Sequence, residues 1–369
     1  MDSEQTPSSL LASMEILCVG NVIVDFFARG DAAFAHRHGI DEPAQHLEHD
    51  KLMAAINELP EKVSCSGGGA ANVAKIAALL GINAGFIGAA GAGTAGGLDE
   101  LGRFFAGEMA AAGVQATLLP RNAPTGCCLV LEIPAEKGNQ VPVRIAAAPS
   151  ASLELDKDDI EEDAIRRTGV VVIDGYLMSR QDLVRHILDL ANRNGTAVAL
   201  DLGSPLIARE RAHEIATYSR VYPLILFMNE NEAQAFYQTL ANRESFDKDD
   251  AGEDRELSED MNDFFKGLTV NELFPIVVIK RGKRGAIVFA GGNVYKENTF
   301  AVSPRDSTGA GDAFCAAFLA GWIRGKPLGE CAVMGNKVAR EVLAVPGTGV
   351  NRKRIAALGR QLPGKIGRS

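Results

Sequence analysis

Between residues 306 and 312 the chain reads Asp-Ser-Thr-Gly-Ala-Gly-Asp, and it runs straight on into Ala-Phe-Cys-Ala-Ala-Phe-Leu-Ala-Gly-Trp. Phe314, Ala317, Phe318, Gly321 and Trp322 recur at helical spacing, and Arg324, Gly325 and Pro327 supply a basic last turn, a terminal glycine and a breaker. That pattern predicts a helix starting close to Gly309. Gly309, Ala310 and Gly311 carry no bulky side chain, so backbone N–H groups can converge on one point, where the positive end of the helix dipole adds its attraction for an anion. This is the chemistry of a phosphate cradle. Asp312 is the misfit, because a carboxylate in the first turn repels a phosphate beside it unless it has chemical work to do. Accepting a proton from an attacking hydroxyl is such work. The bland alternative is a tight turn followed by an ordinary N-terminal helix acid.

Other stretches offer polar groups where a ligand would rest. Glu15 to Gly20 is a short apolar strand that ends on Asn21, with Asp25 four residues further on; Asp25 could hold hydroxyls or serve as a turn carboxylate. Gly67, Gly68 and Gly69 precede an apolar periodic run from about Ala70 to Leu80, so a backbone can come close to a ligand there and Asn72 can both donate and accept hydrogen bonds. The same glycines also suit a close-packed helix start. Asp174-Gly175-Tyr176 and Asp201-Leu202-Gly203-Ser204 follow buried strands, as does Asn229-Glu230-Asn231-Glu232, which doubles as a helix cap with acids in its first turn. Lys280 to Gly285 is a basic hairpin, Arg144 projects from an extended run toward a charged substrate or solvent, and Gly91 to Gly96 satisfies the G-x-G-x-x-G pattern. A dinucleotide-dependent oxidoreductase is therefore a rival reading. Against it, no acid closes the next strand, where Pro120 and Arg121 stand instead.

Two of these stretches together resemble the motifs of the pfkB-type (ribokinase-like) kinases. The first is Gly67, Gly68, Asn72 and Ala74 with Gly81 and Gly91 beyond; the second is Asp306 to Asp312, in the right order along the chain. Gly20-Asn21 with Asp25, Asp99 with Gly102, and Asn229 with Glu232 also resemble family positions, and residues 31 to 47 are similar to the longer form found in adenosine kinases and related bacterial sugar kinases. The resemblance implies transfer of the ATP γ-phosphate to a sugar or nucleoside hydroxyl. It implies Asp312 as general base with Gly309, Ala310 and Gly311 as anion hole. Asp25, Asn21, Gly67, Gly68, Asn72 and Tyr176 would meet the acceptor, and Asn229, Lys280, Gly282, Gly285 and Asn336 the nucleotide. Glu232 and Asn229 would organise Mg²⁺ through water, with a monovalent cation as an optional addition. Lys280 departs from the pattern, since a Thr or other small polar residue is frequent there. The fold implied is α/β: a doubly wound, largely parallel sheet with helices on both faces and a small β-sheet lid through which a homodimer could form.

The surrounding elements fit such a frame. The chain has 369 residues, 46% of them hydrophobic, with 39 glycines and a formal net charge of -9, which disfavours nucleic acid or an anionic membrane as a main partner. The six cysteines form no C-x-x-C pair and suit a reduced cytoplasm; no signal peptide and no membrane-spanning run is evident. Strands are predicted at 169–174, 197–202, 224–228, 276–280 and 286–289, with helices near 180–193, 205–218, 230–242 and 258–268 between most of them. The kinase domain is expected over 15–350, with the lid inserted from about 22–50 and 116–147, a solvated acidic insertion at 244–260, and tails at 1–14 and 351–369. Residues 28 to 62 read as polar and irregular, and their histidines (His36, His38, His46, His49) match no standard zinc spacing. Few aromatics besides Tyr176 offer a platform for a purine, so the acceptor is expected to be a sugar, with a nucleoside as runner-up.

Overall fold

Strands of Val, Ile, Leu and Phe that are buried on both faces cannot sit at a sheet surface, and they build the spine of the molecule. The computed structural model describes residues 14–94, 96–133, 143–242, 257–299, 309–344 and 350–364. Its larger sheet has nine strands in the order β14-β13-β12-β11-β10-β9-β1-β5-β6. In chain order these are β1 (Ile16–Val19), β5 (Ala84–Gly91), β6 (Gln115–Arg121), β9 (Val170–Asp174), β10 (Ala197–Asp201), β11 (Leu224–Asn229), β12 (Ile276–Lys280), β13 (Ala286–Ala290) and β14 (Asn293–Glu297). Pairing is parallel from β12 through to β6 and antiparallel only for β12 with β13 and β13 with β14. Alternate residues of each strand serve different cores. Ile16, Cys18, Phe86, Val172 and Phe227 face the helices Gly69–Leu79, Ala310–Ile323 and Leu328–Leu343. Leu17, Val19, Ile173, Leu200 and Leu226 face the helices Gln181–Asn194, Pro205–Ser219 and Glu230–Leu240.

A second sheet of five strands, β3-β8-β7-β2-β4, stands beside the first and shares its first core through Val24, Phe26 and Leu129. Its strands are β2 (Ile23–Arg29), β3 (Ala44–His46), β4 (Lys62–Gly67), β7 (Gly126–Glu132) and β8 (Val143–Ala148). The extent expected for this lid needs correction at two places. β6 pairs in parallel with β5 in the large sheet, because a strand that follows a crossover helix returns alongside its predecessor. β4, which alternation did not reveal, pairs antiparallel with β2 and closes the small sheet's edge.

The stretch read as irregular also folds. Asp31 caps a helix over Ala32–Arg37 by accepting from Phe34 N at 2.7 Å. Leu52, Ala55 and Ile56 give the next helix, His49–Glu58, just enough of an apolar face to bury. His36 pairs with Asp41 and His38 with Glu58. The expected C-terminal tail contains the helix Arg352–Gly359, held by buried Ile355 and by Arg352 Nη1 donating to Ala111 O at 2.7 Å. One isoleucine among three basic residues is too weak a periodic signal to announce it. Residues 1–13, the turn at 136–140, most of the acidic insertion and motif residues Asp306 to Thr308 lie outside the described residues.

The helix Ala310–Ile323 is buried at every residue from Ala313 to Gly321. Phe318 stands edge-on to Phe227 of β11, with ring centroids 5.4 Å apart, and stacks on Phe314 at 6.2 Å. Phe318→Ala is expected to cost about 3–5 kcal/mol of stability. Urea denaturation measures it, and a loss below about 1 kcal/mol would contradict the packing described.

Candidate active site

The C-terminal ends of the parallel strands are where an open α/β sheet exposes polar groups, and five acids collect there. Asp174 ends β9, Asp201 ends β10, Glu232 follows β11, and Asp312 lies in the first turn of Ala310–Ile323. Asp25 reaches the same region from β2 of the small sheet, flanked in register by Cys65 on β4 and Cys128 on β7.

Glycines let these groups approach one another. The helix Gly69–Leu79 starts after Gly68, whose φ of 90° is in the region that favours glycine and whose Cβ, if present, would lie 2.6 Å from Asn21 O. A Cβ on Gly67 would fall 2.1 Å from Asp25 Oδ2, and one on Gly69 would be 3.5 Å from Asp312 Oδ1 and 3.7 Å from Asp174 Cβ. The Gly67–Gly69 run thus brings backbone up against Asp25 on one side and against Asp312 and Asp174 on the other. From the first turn of the same helix, Asn72 Nδ2 donates to Asp312 Oδ2 at 2.8 Å. Its Oδ1 is buried and meets no donor among the described residues.

The electrostatics follow from crowding. Burial raises Asp312 to about 6, with Asp201 adding to the effect, while the Asn72 hydrogen bond, Lys280 and Lys75 act in the opposite direction. Asp25 is pushed up to about 7 by burial, opposed by Lys75 and helped by Asp312. Asp174 reaches about 7 by burial as well, with the amides of Ala70 and Leu177 holding it down. Three carboxyls therefore stand ready to take a proton near neutral pH. Lys75 was not singled out by sequence reading. It is the one charge on an otherwise small and apolar helix, and its Nζ donates to Ser66 O at 2.6 Å and to Ser66 Oγ at 2.8 Å.

At the other end of the cleft, Gly309 opens the Ala310–Ile323 helix with φ 75°. The amides of a first helical turn have no intrahelical acceptor. Lys280 Nζ lies beside them, 3.3 Å from where a Cβ on Gly311 would be, and is gripped by both oxygens of Asp201. Asn229 and Glu232 close a capping box: Glu232 N donates to Asn229 Oδ1, while Asn229 N and Nδ2 donate to the two Glu232 carboxylate oxygens at 2.8 and 2.7 Å. Glu232 is buried and raised to about 7, by burial first, with Lys280 opposing. Among the described residues no group of three or more His, Cys, Asp or Glu is placed to hold a metal directly. The donor set suits a divalent ion held mainly by a ligand's phosphates and reached by Glu232 through water.

Gly285 (φ 84°) packs its backbone where a Cβ would meet Glu297 O at 2.0 Å, and buried Asn336 donates to the same Glu297 carbonyl at 3.4 Å. Gly282 opens the turn between β12 and β13. The hairpin and Asn336 therefore converge on the end of β14. Tyr176 is 49% exposed, with its ring edge 3.3 Å from where a Cβ on Gly203 would lie. Gly91, the first glycine of the rival fingerprint, offers no cradle. Its N–H donates to Thr125 Oγ1 at 2.8 Å, and Asp99 fills the space beside it while bonding Thr125 N and Oγ1.

Comparison with known proteins agrees with this frame. The model of the pfkB family carbohydrate kinases matches residues 45–354. A 5-dehydro-2-deoxygluconokinase of Clostridium perfringens is 27% identical over 292 residues, which are 75% of this chain and 78% of the relative. The same enzyme of Clostridium beijerinckii is 29% identical over 198 residues, 53% of this chain and 55% of the relative, so the chain spans about half the length of that relative. The crystal structure of adenosine kinase from Sinorhizobium meliloti superposes with a TM-score of 0.77 at 25% identity, covering 95% of this chain and 99% of that one. The chain belongs to the pfkB family of carbohydrate kinases and has the ribokinase-like fold of an ATP-dependent sugar or nucleoside kinase.

Proposed function

We propose that the protein transfers the γ-phosphate of ATP to a primary hydroxyl of a sugar, with Asp312 as the general base. The observation that carries this reading is Asp312 itself: one carboxylate oxygen is held by Asn72, the other lies toward the Gly69 backbone, and the whole group sits at the mouth of a helix whose first amides have no intrahelical acceptor. The acceptor hydroxyl gives its proton to Asp312 as its oxygen bonds to phosphorus. The bond from phosphorus to the bridging oxygen breaks, and ADP leaves. Gly309, Ala310 and Gly311 receive the charge that spreads over the transferred group. Nothing in this arrangement needs the G-x-x-x-x-G-K-[ST] loop, which the sequence lacks. Glu232, fixed by Asn229 in the capping box, would reach through water a divalent cation such as Mg²⁺ carried by the nucleotide, which would supply positive charge to the phosphates.

Asn72 has two parts to play. Its amide group orients the base, which leaves Oδ1 as an acceptor for a hydroxyl of the incoming sugar. Asp25, close against Gly67 on the small sheet, supplies a carboxylate for a neighbouring hydroxyl. Closure of that sheet over the acceptor would exclude water and suppress hydrolysis of ATP. A curated relative named for 5-dehydro-2-deoxygluconate supports a sugar derivative as acceptor. A nucleoside is the second reading, favoured by the half-exposed Tyr176 ring beside Gly203 and by the likeness to an adenosine kinase.

Asp312→Asn is expected to lower kcat by at least ~10²-fold while ATP still binds, as measured by steady-state assay and calorimetry. Near wild-type turnover would remove Asp312 from its role. The wild-type kcat/KM for the acceptor should fall as pH drops through about 6, since protonation of Asp312 destroys the base. Asn72→Ala removes a hydrogen bond that favours the carboxylate, so its acid limb should move to higher pH. An unmoved limb would show that another group titrates. Sugars, keto-sugar acids and nucleosides, each beside a deoxy analogue, complete the test: the true acceptor should be preferred over its deoxy form by ~10⁴-fold. Equal rates would mean that Asp25 and Asn72 do not grip its hydroxyls.

A further inference from the structure

Lys280 ends β12 and Asp201 ends β10, the two strands that flank β11. Their side chains meet across the end of β11, with Nζ 2.8 and 2.7 Å from the two carboxylate oxygens. Both lie almost out of water, at 13% and 9% exposure. A buried pair of this kind contributes little stability, because the desolvation of two charges cancels most of their attraction. Its place is more telling than its strength. The ammonium stands against the backbone of Gly311, the second residue of the Ala310–Ile323 helix, so closely that a side chain at Gly311 would crowd it. The same charge lowers the proton affinity of Asp312 on one side and of Glu232 on the other.

We propose that Lys280 is a catalytic residue that contacts the transferring phosphoryl group at the mouth of the Ala310–Ile323 helix, and that Asp201 is the positioning residue that holds it there. The assignment rests on the kinase reading above. Before nucleotide binds, Asp201 balances the ammonium. As charge spreads over the oxygens of the moving group, Lys280 meets it with a fixed positive charge, where a small polar residue would supply only a dipole. Lys280 forms no bond to phosphorus and passes on no proton; the acceptor's proton still goes to Asp312. Burial works against the ammonium, but Asp201 and Glu232 outweigh it and raise its pKa above the ordinary lysine value, so the charge persists at working pH.

Four variants, Lys280→Ala among them, separate this role from a structural one. Lys280→Met keeps the stem and removes the charge, at the cost of leaving Asp201 buried and unpaired. Asp201→Asn leaves the charge without its anchor, and the double variant removes both charges and with them the unpaired group. Each is assayed with MgATP and the acceptor that the wild type phosphorylates fastest in the panel above. Lys280→Met should lower kcat by ~10²-fold, with the KM for ATP changing less. Asp201→Asn should show a smaller loss of kcat. The double variant should regain the wild-type Tm without regaining turnover, and n-propylammonium should restore part of the turnover of Lys280→Ala. Turnover that recovers together with Tm would make the pair structural and overturn the assignment, as would Lys280→Met turning over within a few-fold of the wild type. Wild-type protein that moves no phosphate from ATP to any acceptor would overturn the kinase reading and this inference with it, so the wild-type rate tells the two failures apart.

Discussion

A helix made of Ala, Phe, Cys, Leu and Gly has no polar face to offer water. From Ala313 to Gly321 the helix Ala310–Ile323 is of that kind, and it is buried between the large sheet and the helices Gly69–Leu79 and Leu328–Leu343. Its burial on all sides fixes where its N-terminus points, which is the C-terminal edge of the parallel strands. The dipole of the helix, the amides of its first turn and the Asp312 carboxylate are therefore delivered to one place by packing alone. Everything else in the cleft is arranged around that end: Asn72 bonds its carboxylate, Gly69 leaves room for it, and Lys280 stands against its backbone.

The cleft concentrates acids, and it survives because their charges are rationed. Asp25 and Asp174 rise toward neutrality under burial, Asp201 is matched by Lys280, and Glu232, raised as well, is also held in a capping box by Asn229. Each is a different answer to the cost of burying a carboxylate: take up a proton, find a cation, or accept several hydrogen bonds. The differing answers separate the roles. A carboxyl group gripped by a lysine is a scaffold, whereas one raised toward neutrality is able to exchange a proton.

Much of this could be read from the chain before folding. Strand positions from Val170 to Ala290 and the starts of the helices at Pro205, Glu230 and Ala310 follow from periodicity and caps, which are local properties. The glycines at Gly67 to Gly69 and Gly309 to Gly311 were visible because a backbone that must come close advertises itself through small residues. The pairing of Lys280 with Asp201 was not legible. It depends on β10 and β12 flanking β11, and strand order in a sheet is settled by packing between elements far apart in sequence. Lys75 was overlooked for a similar reason, since its meaning as a buried cation comes from Ser66 and Asp25 on a different sheet. β4 and the helices Ala32–Arg37 and Arg352–Gly359 were hidden by charged surface residues around a few apolar anchors.

The Asn72–Asp312 hydrogen bond spans 240 positions, and on the same terminal segment Arg324 pairs with Glu15 across 309. Neither contact can form before its later partner has been made. At ~5–20 residues per second the ribosome takes roughly ten to fifty seconds to go from the codon for Asn72 to that for Asp312. During that interval the strands β5 to β14 are added while the apolar surface that Ala310–Ile323 will cover is still open to solvent, and that exposure is the stage at which aggregation competes with folding. The proposed base and its phosphate cradle are made together, within the four residues from Gly309 to Asp312. A nascent chain that stops short of Gly309 therefore has neither, however well its strands have paired.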